Sequence, residues 1–154
     1  VTTAVPEEFG GVTPQLVVPK TAEAVAFYVA ALAADELLRT ELPDGRIMHC
    51  ELLINGGRVL VHDEFPETGS ISPRTLGGTP VRLHLYVDVW FARAVEAGAK
   101  PLMAPYDAFW GDRYAQIEDI AGHHWSLASR LDDPAAQELR KRGQEWFEQH
   151  QDEL

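Results

Sequence analysis

A chain of 154 residues, 45% hydrophobic and 24% charged, is long enough for one globular domain or for two small units sharing a core. Its 24 acidic and 13 basic residues give a net charge of −11, which argues against the basic face that nucleic acid or anionic lipid requires. The single cysteine, Cys50, can form no internal disulfide, and no apolar run reaches membrane-spanning length or leaves a leader pattern, so a cytoplasmic protein is expected.

Residues 1–11, VTTAVPEEFGG, lack periodicity and predict a flexible lead-in. Residues 13–19 read as a strand closed by proline. Thr21 is placed to cap the following helix, AEAVAFYVAALAA, with Glu23 in its first turn. Residues 36–42 can supply a second strand, and Pro43-Asp44-Gly45 turns the chain. A period-two run then sets Met48, Cys50, Leu52 and Ile54 on one face and His49, Glu51 and Leu53 on the other. Asn55-Gly56-Gly57 leads into a strand over 58–62, so residues 12–62 form a first β-α-β-β-β unit. Residues 63–80, rich in Pro, Gly, Ser and Thr, predict a linker or flap.

The same order recurs over residues 81–130. A strand over 81–87 precedes a helix over 90–97 ended by Gly98, then a short strand over 101–103, a loop over 106–110 and a hairpin turning at Ile120-Ala121-Gly122. The two units differ at one corner: Val18 and Phe27 stand nine positions apart, Val87 and Phe91 only four. The reading is a strand-to-helix connection shortened by five residues, either by deletion or because residues are missing from the sequence there. In the tail, residues 131–154, Asp132-Asp133-Pro134 predicts a capped helix start, with Leu139, Trp146 and Phe147 available to dock on the domain or on a second subunit.

The segment from Trp110 to Ser129, WGDRYAQIEDIAGHHWSLAS, carries an aromatic-Gly-x-Arg-aromatic run followed by Asp-x-x-Gly-His. This wording resembles the last two strands of the vicinal oxygen chelate superfamily of glyoxalases, extradiol dioxygenases and bleomycin-resistance proteins, and is similar to its PhnB-like branch. The resemblance covers residues 12–130. It implies an α+β fold in which two βαβββ units curl a mixed sheet around a ligand cavity with helices outside, and a homodimer in which units of different chains complete each barrel.

On such a fold alternation directs Thr13, Gln15 and Val17, then His49 and Glu51, inward from the first unit. From the second unit it directs Arg82, His84 and Tyr86, then Tyr114, Gln116 and Glu118, then His124, Ser126 and Ala128. His49 and Glu51 share a face, which suits acid/base work or a buried ion pair equally. Arg82 inside a barrel requires Glu118 or a ligand carboxylate beside it. Tyr106, Phe109, Trp110 and Tyr114 border the cavity mouth, where rings can stack on a planar ligand or face a cation, or where Phe109 and Trp110 simply seal the barrel end. Trp125 packs against a helix. Arg113 either anchors an anionic group or holds Asp112 or Asp119.

The resemblance places metal ligands at four positions, and here they are Thr13, Arg82, Ser126 and either Leu60 or Val61. Two weak hydroxyls, a guanidinium and an apolar side chain supply no divalent site, so no metal cofactor is expected. The alternative is a divalent metal displaced onto His84 and Glu118 with Gln15 or His124, which would make the chain a lyase, isomerase or dioxygenase. Otherwise His84 and His124 are interior histidines satisfied by Glu51 or Glu118. Cys50 falls on the helix-facing side, Ser126 lacks a G-x-S-x-G elbow, and the glycine pairs are too short to cradle phosphates. The expected function is small-molecule binding of the bleomycin-resistance type, as in antibiotic sequestration, with a planar or cationic ligand.

Overall fold

A computed structural model describes residues 4–88 and 90–153. The first unit runs β1 (Gln15–Val18), α1 (Thr21–Leu32), β2 (Asp35–Glu41), β3 (Ile47–Ile54) and β4 (Gly57–Asp63). The second runs β5 (Arg82–Tyr86), α3 (Trp90–Glu96), β6 (Lys100–Asp107), β7 (Asp112–Glu118) and β8 (His124–Arg130), with α2 (Pro73–Leu76) between the units and α4 (Ala136–His150) after them. Each unit makes its own four-stranded mixed sheet, ordered β1-β4-β3-β2 and β5-β8-β7-β6, with the parallel pair at one edge in both. The repeated order read from the sequence is thus a structural duplication.

Alternation sorts the faces as expected with one exception: Met48, expected beside Cys50, is 59% exposed, and the register shift between Thr40 and Glu41 puts Ile47 in the core in its place. Leu16, Val18, Cys50, Leu52, Ile54, Val59 and Val61 turn toward α1, where Val25, Tyr28 and Leu32 complete one half of the core. In the second unit Ile117, Trp125 and Leu127 turn the same way toward Ala94 of α3. The two helices pack on each other, so one core serves both units and the opposite face of each sheet is left open. Burial pushes the Cys50 thiol up to about 11, in keeping with a small core hydrophobe.

The seam between the units converges on Asp119. One carboxylate oxygen accepts from the Tyr28 hydroxyl at 2.7 Å and the Trp125 indole at 2.9 Å, and the other from the backbone N–H groups of Ala121 at 2.9 Å and His123 at 3.0 Å. Burial, then the Asp119 charge, drives the Tyr28 hydroxyl well above its ordinary value. His123 donates from Nε2 to the Val17 carbonyl at 2.9 Å, and Asn55 donates to the Tyr86 carbonyl at 3.0 Å. Gly122 has a φ of +90°, and a Cβ there would stand 2.9 Å from the backbone nitrogen of Arg74 at the start of α2. The Asp-x-x-Gly-His motif is therefore a turn and a fastening between the units.

Several boundaries differ from the sequence reading. Thr21 is the first residue of α1, not its cap; the Asp63 carboxylate, arriving from the end of β4, accepts from the Thr21 N–H, and at 2.6 Å from the Ile47 N–H. Asp63 thus stands where the helix dipole favours an anion. The 63–80 segment contains a 3-10 turn (Pro66–Thr68) and α2, capped by the Ser72 side chain, so it is folded against the second unit. β6 continues through Asp107 where a loop was expected, because two register shifts let it follow β7 past Pro101 and Pro105. α4 begins at Ala136, since Asp132 and Asp133 are engaged by Arg142 and Arg130 and neither caps it. The lead-in holds a 3-10 turn (Glu7–Phe9), with the Arg58 guanidinium 5.0 Å over the Phe9 ring; residues 1–3 lie outside the described residues.

The shortened corner is resolved by comparing the helices. α1 has 12 residues and α3 has 7, while the strand-to-helix connections are of similar length. The five-residue difference between the two helices equals the five-position shortfall at this corner; residue 89 lies outside the described residues. Beside the short α3 lies a groove of about 550 Å³, lined by Trp90, Phe91, Pro105 and Arg113 among others.

Candidate functional site

The open face of the second sheet is organised in rows by the strand register. Arg82, His124 and Glu118 form one row, His84, Ser126 and Gln116 the next, Tyr86, Ala128 and Tyr114 the third, and Arg130 faces Asp112 in the fourth. In-register neighbours on one pleat point the same way, so these side chains share one surface. Tyr106 joins it from β6 opposite Tyr114, and Trp110 from the corner between β6 and β7.

Rings dominate the upper rows. Trp110 and Tyr114 meet at 5.4 Å and 77°, Tyr106 lies 6.2 Å from Trp110 and 6.1 Å from Tyr114, and His84 stands 5.0 Å from Tyr86 and 6.2 Å from Tyr114. The edge-to-face contacts leave ring faces available on a half-open surface. Burial, and then the nearby Tyr114 hydroxyl, raises the Tyr106 hydroxyl above its ordinary value. Beneath them the carboxylate of Asp112, 3% exposed, accepts from the Tyr86 hydroxyl at 2.6 Å and from the Trp110 indole at 3.0 Å on the same oxygen. Arg130 is 3.9 Å from its other oxygen and 5.6 Å over the Tyr86 ring.

The lower rows are polar and internally paired. His84 Nδ1 and the buried Ser126 hydroxyl are 2.7 Å apart, His124 Nε2 lies 3.3 Å from Glu118, and Gln116 donates to the Tyr114 hydroxyl at 3.2 Å. Arg82 shares a row with His124 and Glu118, but Glu118 stands two strands away and is turned to His124; Arg82 is exposed at the sheet edge, where it needs no enclosed carboxylate beside it. Among the described residues no three His, Cys, Asp or Glu side chains converge. Around Ser126 stand its own hydroxyl, an imidazole nitrogen already turned to that hydroxyl and the Gln116 carboxamide, with the permanently cationic Arg82 one row away, a set without the anionic ligands that a divalent cation favours.

The structure divides the sequence candidates between two surfaces. Arg82, His84, Tyr86, Trp110, Tyr114, Gln116 and Ser126 lie together on the second sheet. Gln15, His49 and Glu51 lie on the open face of the first, where Glu51 accepts from Arg58 at 2.7 Å and stands 3.1 Å from His49, with Gln15 across Leu60 in the same row. Arg113 is parted from both. It alternates onto the outer face, pairs bidentately with Asp107 at 2.8 and 3.1 Å and holds that carboxyl below its usual range, so its sequence-based role on Asp112 or Asp119 is not what the geometry provides. Phe109 faces α4 and not the open surface. Sequence reasoning misses Asp112 because it carries the inward set of that strand no further back than Tyr114. Carrying the alternation of Glu118, Gln116 and Tyr114 back by one step would have found it.

Residues 11–127 match the model of the family described as "Glyoxalase/Bleomycin resistance protein/Dioxygenase superfamily". The chain is 47% identical over 121 residues to the uncharacterized protein Rv0887c of Mycobacterium tuberculosis, covering 75% of this chain and 71% of that protein, and equally so to Mb0911c of Mycobacterium bovis, of which it covers 80%. Among solved structures it is similar to TioX from Micromonospora sp. ML1, with a TM-score of 0.63 and 29% identity over 79% of this chain and 99% of the other. The fold alone is shared with the fosfomycin resistance protein FosX of Listeria monocytogenes, crystallised with Mn(II) and sulfate, at a TM-score of 0.61 and 16% identity over 87% and 97% of the two chains.

Proposed function

Since this chain belongs to the glyoxalase/bleomycin resistance protein/dioxygenase superfamily, we propose that it binds a planar, cationic small molecule on the aromatic face of its second sheet, without a metal. The observation that carries this reading is the Asp112 carboxylate behind Tyr86 and Trp110. A phenol and an indole that both donate to one carboxylate are polarised by it, which enriches their ring faces and favours a cation stacked against them. The net charge of −11 draws cations toward the protein, and sequestration of a toxic compound needs no further chemistry. A second copy completes the site. Supporting this, β2 and β6 are exposed along their whole length and present Leu37, Leu38, Leu102, Met103 and Tyr106, and the sheet carrying His49, Glu51 and Arg58 is open in the same way. Sedimentation equilibrium at micromolar concentration should give twice the 17.1 kDa chain mass; a monomer there would remove the second copy from the reading.

The deciding experiment is calorimetric titration with ethidium as a planar cationic probe, alongside Ni(II), Zn(II), Mn(II) and Fe(II) on chelator-treated protein. Ethidium should bind saturably at moderate salt, and Trp110→Ala should weaken it about tenfold, the loss expected for one stacked ring facing a cation. None of the metals should bind tightly at one per chain. Tight metal binding lost in His84→Ala would replace this reading with that of a metal-dependent lyase, isomerase or dioxygenase using His84 and Glu118.

A further inference from the structure

The family match ends at residue 127, yet the chain beyond it holds the aromatic wall in place. Trp110 sits on the corner Phe109-Trp110-Gly111. Behind that corner Phe109 meets Trp110 edge-on at 5.2 Å and 88°, and meets Trp146 of α4 at 5.7 Å. Gly143, one turn earlier on α4, approaches Phe109 so closely that a Cβ would stand 3.3 Å from the ring. On the other side the Gly111 carbonyl accepts from the N–H groups of Leu131 at 2.8 Å and Asp132 at 2.9 Å. Arg142 of α4 donates to Asp132 and to Glu138, both at 2.9 Å, tying the helix to the segment that grips the corner. Trp146 is backed in turn by the His150 ring, stacked at 4.6 Å.

None of these contacts serves the core. No described residue of α4 is buried, and none belongs to the core cluster. Gly143 weakens a helix interior and leaves room for Phe109, so the sequence gives up helix stability to let that ring in. We infer that α4 is a positioning element for the ligand face: Trp146 and Gly143, acting through Phe109, fix the plane of the Trp110 indole. A ring that would otherwise reorient on a three-residue corner is held in the orientation that donates to Asp112, so less ordering entropy is lost when a ligand stacks on it. The inference rests on the reading of the aromatic face as the ligand surface, and it assigns the tail a part in affinity that the matched family region does not contain.

The test uses Trp146→Ala and Trp146→Phe in the full chain, with 15N-indole NMR on ligand-free protein and ethidium calorimetry in parallel. In Trp146→Ala the Trp110 indole N–H resonance should shift or broaden while that of Trp125, bonded to Asp119 in the core, stays in place. Ethidium affinity should fall about tenfold in the alanine variant and return to within about threefold of the parent in Trp146→Phe, which keeps a ring against Phe109. A Trp110 resonance unmoved in Trp146→Ala overturns the inference. If the unmodified chain binds no ethidium, the ligand reading fails by itself, and the indole spectrum still decides whether α4 positions Trp110.

Discussion

Asp119→Ala should lower the unfolding free energy by about 4 kcal/mol or more, enough to remove much of the stability of an ordinary domain. The variant leaves two backbone N–H groups, the Tyr28 hydroxyl and the Trp125 indole without their acceptor, three of them buried and the His123 N–H half-buried. Each such orphan costs about 1–3 kcal/mol, and the seam is where the two sheets are held together. The unfolding midpoint should drop by about 10 °C or more. Tyr28→Phe, which removes one donor and retains the ring packed 5.8 Å from Trp125, should cost only about 1 kcal/mol. Urea unfolding of both variants checks the claim. A loss in Asp119→Ala no larger than that in Tyr28→Phe would mean that water or a neighbouring group replaces the carboxylate, and the hub would have to be abandoned.

Gly111→Ala is the second large effect, and it joins fold to site. Gly111 has a φ of +99°, and a Cβ there would stand 2.6 Å from the Asp132 carbonyl oxygen and 3.0 Å from Pro134 Cδ. Backbone strain alone costs about 1–3 kcal/mol, and the collision with a main-chain oxygen adds to it. We expect a loss of about 3 kcal/mol in urea unfolding together with at least tenfold weaker ethidium binding, because Trp110 and Asp112 flank the displaced residue. Gly56→Ala is the matched control: its φ is +80°, but nothing lies within 4 Å of the added carbon. It should show the strain without the collision and leave ethidium binding unchanged. Equal midpoints for the two variants would refute the clamp at the corner.

A good share of the fold was legible before any coordinates. The β-α-β-β-β order, its repetition, the helix over α1 and the separation of His49 and Glu51 from Cys50 and Leu52 all follow from period-two and helical spacing, which a few neighbouring residues set by backbone geometry alone. The candidate site was legible in part. The sets Arg82, His84, Tyr86 and Tyr114, Gln116 follow from the same alternation, but Arg113, offered by the motif as an anchor for an anionic group or for Asp112 or Asp119, lies on the other face with Asp107.

What the sequence determined by itself, then, is which residues share a pleat and where the chain turns, because the pleat and the glycine turns are local. What only the tertiary structure decided is who meets whom across the chain. Asp119 and Tyr28 are 91 positions apart, Asp112 and Tyr86 26 apart, and α4 returns to Phe109 from beyond the repeated units. The tertiary structure also showed α3 to be five residues shorter than α1. Such partners are selected by packing two sheets and the helices α1 and α3 around one core, with α4 laid against the corner outside it, and no periodicity within a strand or helix carries that information.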